Sequence, residues 1–212
     1  QGRFNLHLLI DSAPRASDSS VFADSDDAGG EGDVDAPETR DSASAGQTTG
    51  KRWSPGQKLL IRLLQSLGED ALSLEEAMAL TEAVSDFIDA DADKRMNGAE
   101  ADDYRYADFP YLPANRPLAS VSELRAVKGM TSEVYEALRP WVTVWPETGA
   151  KINILTAPLP VLRSLNADDQ WEPLSLIESE RLMTMRSEGE IASVEDFLSA
   201  PTFEGRSVTG LQ

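Results

Sequence analysis

The stretch Ser73–Glu100, SLEEAMALTEAVSDFIDADADKRMNGAE, decides how this chain is read. Ser73-Leu74-Glu75-Glu76 is a capping box, in which the Ser and Glu side chains satisfy amides at the start of a helix. Ala77, Leu80, Val84, Phe87 and Ile88 then recur at helical spacing and predict one buried face. After Ile88 the pattern turns acidic. Asp89, Asp91 and Asp93 alternate, Gly98 and Glu100 follow, and Asp102 and Asp103 close the run. Carboxylates are unfavourable at a helix C-terminus, so a merely solvated helix end explains this cluster poorly. Alternating Asp residues in a tight loop, with a Glu eleven residues after the first, give the ligand spacing of an EF-hand. That spacing suits a hard cation with about 6 to 8 oxygen ligands. A cation would also offset the repulsion among the acids. Two departures exclude an EF-hand itself. Lys94 stands where the loop needs Gly, and Pro110 interrupts the flank from Tyr104 to Tyr111. The prediction is a calcium loop of another kind, with acids enough for two ions. Magnesium, which keeps more of its waters, fits less well.

Outward from this stretch, Phe4–Ile10 (FNLHLLI) has strand length and composition. Ser54-Pro55 predicts a helix start, with Leu60, Leu63, Leu64 and Leu67 as its apolar stripe and Gly68 as its stop. Ser120-Val121-Ser122-Glu123 is a further capping box, opening a helix to Val127 that breaks at Gly129 and resumes from Thr131 to Pro140. Trp141–Trp145 and Lys151–Leu155 read as strands. Thr156, Leu174 and Ser193 open three more helical segments. The expectation is a mainly helical body with a small, incomplete sheet.

The 212 residues carry a net charge of −18 and 41% hydrophobic residues, enough for a core. Residues 11–50 hold ten acids and two Arg, a net of −8, and residues 69–103 hold twelve acids and two bases, a net of −10. Ser12–Gly50 is mostly Ser, Asp, Ala, Gly and Thr. Such a composition predicts a flexible linker, because it cannot bury enough apolar surface to offset its ordering entropy. The charge argues against nucleic acid and anionic membrane surfaces. The chain has no Cys and a single His, His7, so thiol chemistry and a Ser-His-Asp triad are not expected. No HExxH, GxSxG or phosphate-binding glycine motif is present. Acids crowded into one loop lack the cross-cleft placement of a glycosidase pair.

Glu123–Pro140 and Lys151–Leu198 have the cadence of helix-hairpin-helix units, which can hold DNA phosphates through hairpin amides. The first hairpin offers only Gly129, and the second has Asn166-Ala167-Asp168-Asp169. Acids there repel phosphate. Both are read as packing modules, and DNA binding is kept as the alternative function.

The chain resembles the minor pseudopilin K family of the bacterial type II secretion system. The resemblance is carried by GRFNLHLLI (2–10), SDFIDADADKRMNGAEADDY (85–104), PYLPANRPLASVSELRAVKGM (110–130), LRPWVTVWP (138–146) and KINILTAP (151–158), in that order. It implies an α+β fold. A pilin-like α/β portion, incomplete here, carries a large inserted mainly α-helical domain with helix-hairpin-helix or SAM-like units. The expected organisation is a pilin-like strand segment at 1–11, the acidic flexible linker at 12–52, and the inserted helical domain with its calcium loop at 53–140. Strand segments at 141–158 and a second helical unit at 159–212 follow. The resemblance further implies a non-enzymatic cap at the tip of a periplasmic pseudopilus, involved in protein export and bound to minor pseudopilins I and J, with no nucleic acid and no small-molecule substrate. It places calcium at Asp89, Asp91, Asp93, Glu100 and Asp103. It also implies a hydrophobic helix ahead of Gln1, anchoring the full-length protein on the periplasmic side of the inner membrane, and further strands beyond Gln212, so that this chain is expected to be a soluble fragment. A wide inserted domain hinders stacking of another subunit, which suits the end of a filament.

Overall fold

The computed structural model describes residues 2–10, 53–106, 110–204 and 206–208. All belong to one unit, Gln1–Ala13 with Trp53–Gln212. The linker expected at 12–52 lies outside the described residues.

The centre of the fold is α1 (Pro55–Leu64). Ser54 caps it through the Gln57 amide, and Gln57 returns the bond to Ser54 N–H. Leu59, Leu60, Ile61, Leu63 and Leu64 are all buried, and so are Gln57 and Arg62. The expected stripe is therefore a helix buried nearly all round. It packs on α2 (Leu74–Ile88) and on α5 (Leu159–Ser164), which in turn packs on α6 (Leu176–Ser187). The capping box at Ser73 and Glu76 forms with both of its bonds. Two short helices, α3 (Ala101–Arg105) and α4 (Ser132–Leu138), follow α2 in the chain, and α7 (Val194–Leu198) comes last. Gly56 admits α1 to the turn above it, because a Cβ there would overlap the Leu8 carbonyl oxygen.

The sheet has two strands, β1 (Phe4–Asn5) and β2 (Val142–Thr143), paired in parallel with Phe4 opposite Val142 and Asn5 opposite Thr143. The strand expected over Phe4–Ile10 stops at Asn5. Its side chain accepts from the His7 amide at 2.9 Å and caps a 3₁₀ turn at Leu6–Leu9. The strand expected at Trp141–Trp145 shrinks to two residues, since Trp141 ends a 3₁₀ turn begun by Arg139-Pro140. Lys151–Leu155 is not a strand at all. Asn153 Oδ1 accepts from the Leu155 amide at 3.0 Å, and this local turn replaces a ladder. The segment after Ser120 is likewise a 3₁₀ helix, Val121–Ala126. The helix expected to start at Thr156 starts at Leu159, behind Pro158.

One side chain ties the fold together in a way that the apolar pattern does not announce. Arg62, 3% exposed, sends its guanidinium into the 164–170 loop. It donates to the carbonyls of Ser164 (3.2 Å), Asn166 (3.0 Å), Ala167 (2.7 Å) and Gln170 (2.6 and 3.1 Å). Burial lowers its pKa to about 10, with Asp168 and Asp169 opposing the shift, so it remains a cation at neutral pH. This loop is the second hairpin of the sequence reading. Its inward face presents carbonyls to a cation, the opposite polarity to the amides that hold phosphate.

Replacing Arg62 by Ala leaves several buried carbonyls without donors. The expected loss is roughly 3 kcal/mol or more, and Arg62→Lys recovers little because an ammonium cannot fan out over four carbonyls. Chemical denaturation of both variants checks this. Wild-type stability in Arg62→Lys would contradict the clasp.

Candidate metal centre

The acidic segment leaves α2 at Asp89, whose amide still bonds to the Ser85 carbonyl at 3.0 Å. Its return path is set by two buried acids on α2. Glu82 Oε2 accepts from the Asn97 amide at 2.8 Å. Asp86, fully buried, accepts from the Arg95 amide at 3.1 Å and from the Arg95 guanidinium. The same Arg95 Nη1 reaches Asp89 Oδ2 at 2.6 Å. Gly98 closes the loop against Asp86, where any Cβ would overlap the Asp86 Oδ2 atom. From the other side Asn115 donates its amide to the Phe87 carbonyl (3.0 Å) and its side chain to the Asp91 carbonyl (3.2 Å). Its φ of +44° is one that Asn tolerates better than most residues.

The result brings Asp89, Asp91 and Glu100 together, with one carboxylate oxygen of each within 4.8 Å of the others. Glu100 is buried, and neither of its oxygens accepts a hydrogen bond of ordinary geometry; Asp89 Oδ1 is likewise buried and without a partner. Burial, then the charges of Asp86 and Asp89, push the Glu100 pKa up to about 7, with the Ala101 amide opposing. Burial raises Asp89 and Asp86 too, against the pull of Arg95. Buried acceptors without donors are uncommon and costly. An all-oxygen donor set with orphaned lone pairs fits a hard divalent cation, and these three residues could hold one.

Asp93 and Asp103, expected among the ligands, stand outside this group. Asp93 is exposed, and its amide bonds to Asp91 Oδ1 at 2.9 Å, which orients the Asp91 carboxylate. Asp103 is taken by other donors: Lys94 at 2.9 Å, Lys128 at 2.8 Å and the Glu100 amide at 3.1 Å. The two lysine bonds hold its carboxyl far below the ordinary carboxylate range. Asp103 thus joins the acidic loop to the first hairpin, where the Lys128 amide also donates to the buried Tyr104 hydroxyl at 3.3 Å. Sequence reasoning passed over Glu82 and Asp86, the acids that shape the loop. Their spacing of four on a helix face otherwise made of Ala83, Val84, Phe87 and Ile88 is the signal that could have found them.

Two family models match the chain, both described as type II secretion system protein K, one over residues 2–147 and the other over 152–212. The type II secretion system protein K of Klebsiella pneumoniae is 34% identical over 147 residues, covering 69% of this chain and 44% of that protein. That of Dickeya chrysanthemi is 34% identical over 140 residues, covering 65% and 36%. The chain therefore spans less than half the length of these curated relatives. Among solved structures, a chain of the GspK–GspI–GspJ complex from the enterotoxigenic Escherichia coli type 2 secretion system aligns with a TM-score of 0.53 and 26% identity. The alignment covers 72% of this chain and 51% of that one.

The raised Glu100 pKa fixes a sign. Between pH 4.5 and about 7 the folded state keeps a proton that the unfolded state has released, so stability falls as pH rises. The loss in chelator-treated protein is on the order of 3 kcal/mol across that window, and the raised Asp86 and Asp89 act in the same direction. Asp103 acts oppositely, its stabilisation being lost below its unfolded pKa of 3.8. Urea melts in chelator from pH 4.5 to 7.5 check this. Glu100→Gln is expected to flatten the slope and to be more stable than wild type at the upper end. A wild-type slope unchanged by that substitution would refute the assignment.

Proposed function

The chain belongs to the type II secretion system protein K family, and from that premise we propose that it is a non-enzymatic minor pseudopilin. It caps the tip of the pseudopilus with minor pseudopilins I and J, and calcium steadies its acidic loop. The observation that carries the role is the family match over residues 2–147 and 152–212 together. The similar solved chain comes from a GspK–GspI–GspJ complex, which supports the choice of partners. In this reading the two-stranded sheet belongs to a pilin-like portion. The chain leaves the sheet after Asn5 and re-enters it at Val142, with α1 to α4 between, as an insertion requires. The helical body supplies the bulk that keeps further subunits from stacking above it, with helix-hairpin-helix or SAM-like units as its packing modules. The full-length protein is held on the periplasmic side of the inner membrane before assembly. Among the described residues no helix is long and apolar enough to cross a membrane, so an anchor is sought elsewhere in the full-length protein.

Calcium is assigned on the donor set. Asp89, Asp91 and Glu100 would hold the ion, and its chemistry there is positive charge among hard oxygens. Arg95 already answers Asp86 and one oxygen of Asp89, so what remains to be neutralised lies on Asp91, Glu100 and the other Asp89 oxygen. The loop then stays folded between α2 and α3 at neutral pH.

Two outcomes are expected. Calcium at about 100 times its dissociation constant stabilises the protein by about 2.7 kcal/mol over chelator. Glu100→Gln, although more stable in chelator at neutral pH, shows almost no calcium-induced shift. Identical thermal melts of the wild type with calcium and with chelator would remove the ion from this reading. For the role, the full-length protein mixed with pseudopilins I and J should elute as one complex, and labelling of assembled pseudopili should find it at one end only. Label distributed along the shaft would overturn the tip assignment.

A further inference from the structure

At the edge of the two-stranded sheet lies a pocket of about 470 Å³, lined by Arg3, Asn5, Thr143, Trp145, Lys151 and Asn153. This is the size of a ligand subsite. Its hydrogen-bonding groups divide by polarity. The side-chain acceptors are already in use: Asn5 Oδ1 by the His7 amide (2.9 Å), Thr143 Oγ1 by the Trp145 amide (3.2 Å) and Asn153 Oδ1 by the Leu155 amide (3.0 Å). The Asn5 side-chain amide donates to the Pro146 carbonyl at 2.7 Å. The side-chain groups that still lack any partner among the described residues are donors. Among the described residues the Arg3 guanidinium and the Lys151 ammonium meet no carboxylate, and the Asn153 amide and the Trp145 indole N–H meet no acceptor. Trp145 is 78% exposed. Two cations sharing one pocket with no carboxylate partner among the described residues are unexpected in a chain of net charge −18.

We propose that this pocket docks an acidic peptide segment of a partner protein. The segment's Asp or Glu carboxylate is received by Arg3 and Lys151, and its adjoining residues lie against the Trp145 ring. A guanidinium takes a carboxylate in a two-pronged hydrogen bond, and an exposed Trp offers apolar contact area at little entropic cost. Charge complementarity selects this occupant over the other polyanions. A nucleic acid or an anionic bilayer presents an extended negative surface, which the protein's overall charge repels. A single peptide carboxylate needs only the local donors. The pocket lies at the sheet and shares no residue with the carboxylate cluster, so its function stands apart from any bound ion.

The test uses a fluorescein-labelled peptide of Asp, Glu and Ala, a matched peptide with Asn and Gln in place of the acids, and vesicles containing phosphatidylglycerol. Fluorescence polarisation is expected to show binding of the acidic probe alone, weakening as salt is raised. Charge reversal by Arg3→Glu with Lys151→Glu should reduce affinity at least tenfold. Both side chains are exposed, so the thermal melt should hold. Trp145→Ala, which changes no charge, should also weaken binding. Equal binding by the charge-reversed variant, or equal binding of the neutral peptide, overturns the proposal. So does vesicle binding without peptide binding. Much tighter probe binding after replacing residues 12–50 by a Gly/Ser linker would place this chain's own acids in the pocket and overturn the partner assignment.

Discussion

Asp86 lies where water does not reach it, and a carboxylate in that position has to be answered by the protein itself. The answer comes from the segment that follows, through the amide and guanidinium of Arg95, with the Gly98 backbone laid directly against the carboxylate. A buried charge without partners costs several kcal/mol, so the chain between Ile88 and Gly98 has little choice but to fold back over α2. Glu82 repeats the device one turn earlier through the Asn97 amide. Everything notable about the acidic cluster follows from this return. Asp89 and Asp91 lie between the two fixed ends of the return, and the chain past Gly98 brings a Glu100 oxygen to within 4.8 Å of theirs. One guanidinium serves two of the carboxylates and does not pair with Glu100, whose burial, with the charges of Asp86 and Asp89, pushes its pKa up to about 7.

The part of this that sequence could disclose is the part that repeats with a period or obeys a cap. The box at Ser73 and Glu76, the apolar face of α2 and the cap at Ser54 were visible in spacing alone and form as expected. The acidic cluster was visible too, though not which of its oxygens come together. Alternation of Asp residues signals a loop with several inward oxygens, but it does not tell which oxygens are claimed by lysines from elsewhere. Asp103 stands outside the group of three, and Lys128, twenty-five positions on, bonds to it. Nothing local encodes that. The strands failed for a different reason. FNLHLLI and KINIL have strand composition, yet each contains an Asn whose side chain bonds the backbone two residues later. That bond competes directly with a ladder. Asn within a short apolar run is the warning to heed.

Three arginines of this fold gather backbone carbonyls, while others pair with carboxylates. Arg62 collects the 164–170 loop, and Arg186 holds the carbonyls of Ile154 and Ala157 at 2.9 and 2.8 Å. Arg163 holds that of Leu174 at 2.9 Å. Segments between short helices leave many carbonyls without ladder partners, and a two-stranded sheet cannot satisfy them. A guanidinium with five donors can satisfy several at once. In a chain so rich in acids, such cations could have been drawn off by carboxylates. Burial prevents this for Arg62: Asp168 and Asp169 act on it through their charge, while its hydrogen bonds go to the carbonyls around it.

The two hairpins of similar cadence both differ from one that binds phosphate. A hairpin that grips phosphate turns its amides outward and keeps cations beside them. Here Lys128 of the first hairpin is drawn back onto Asp103, and the second turns carbonyls inward onto Arg62. The Lys128 ammonium is therefore occupied by a carboxylate, and the carbonyls of the second hairpin by a guanidinium. Among the described residues, Arg3 and Lys151 at the sheet edge are cations that meet no carboxylate. The anionic occupant proposed for this protein is thus sought away from the hairpins whose cadence suggests one, at the sheet edge.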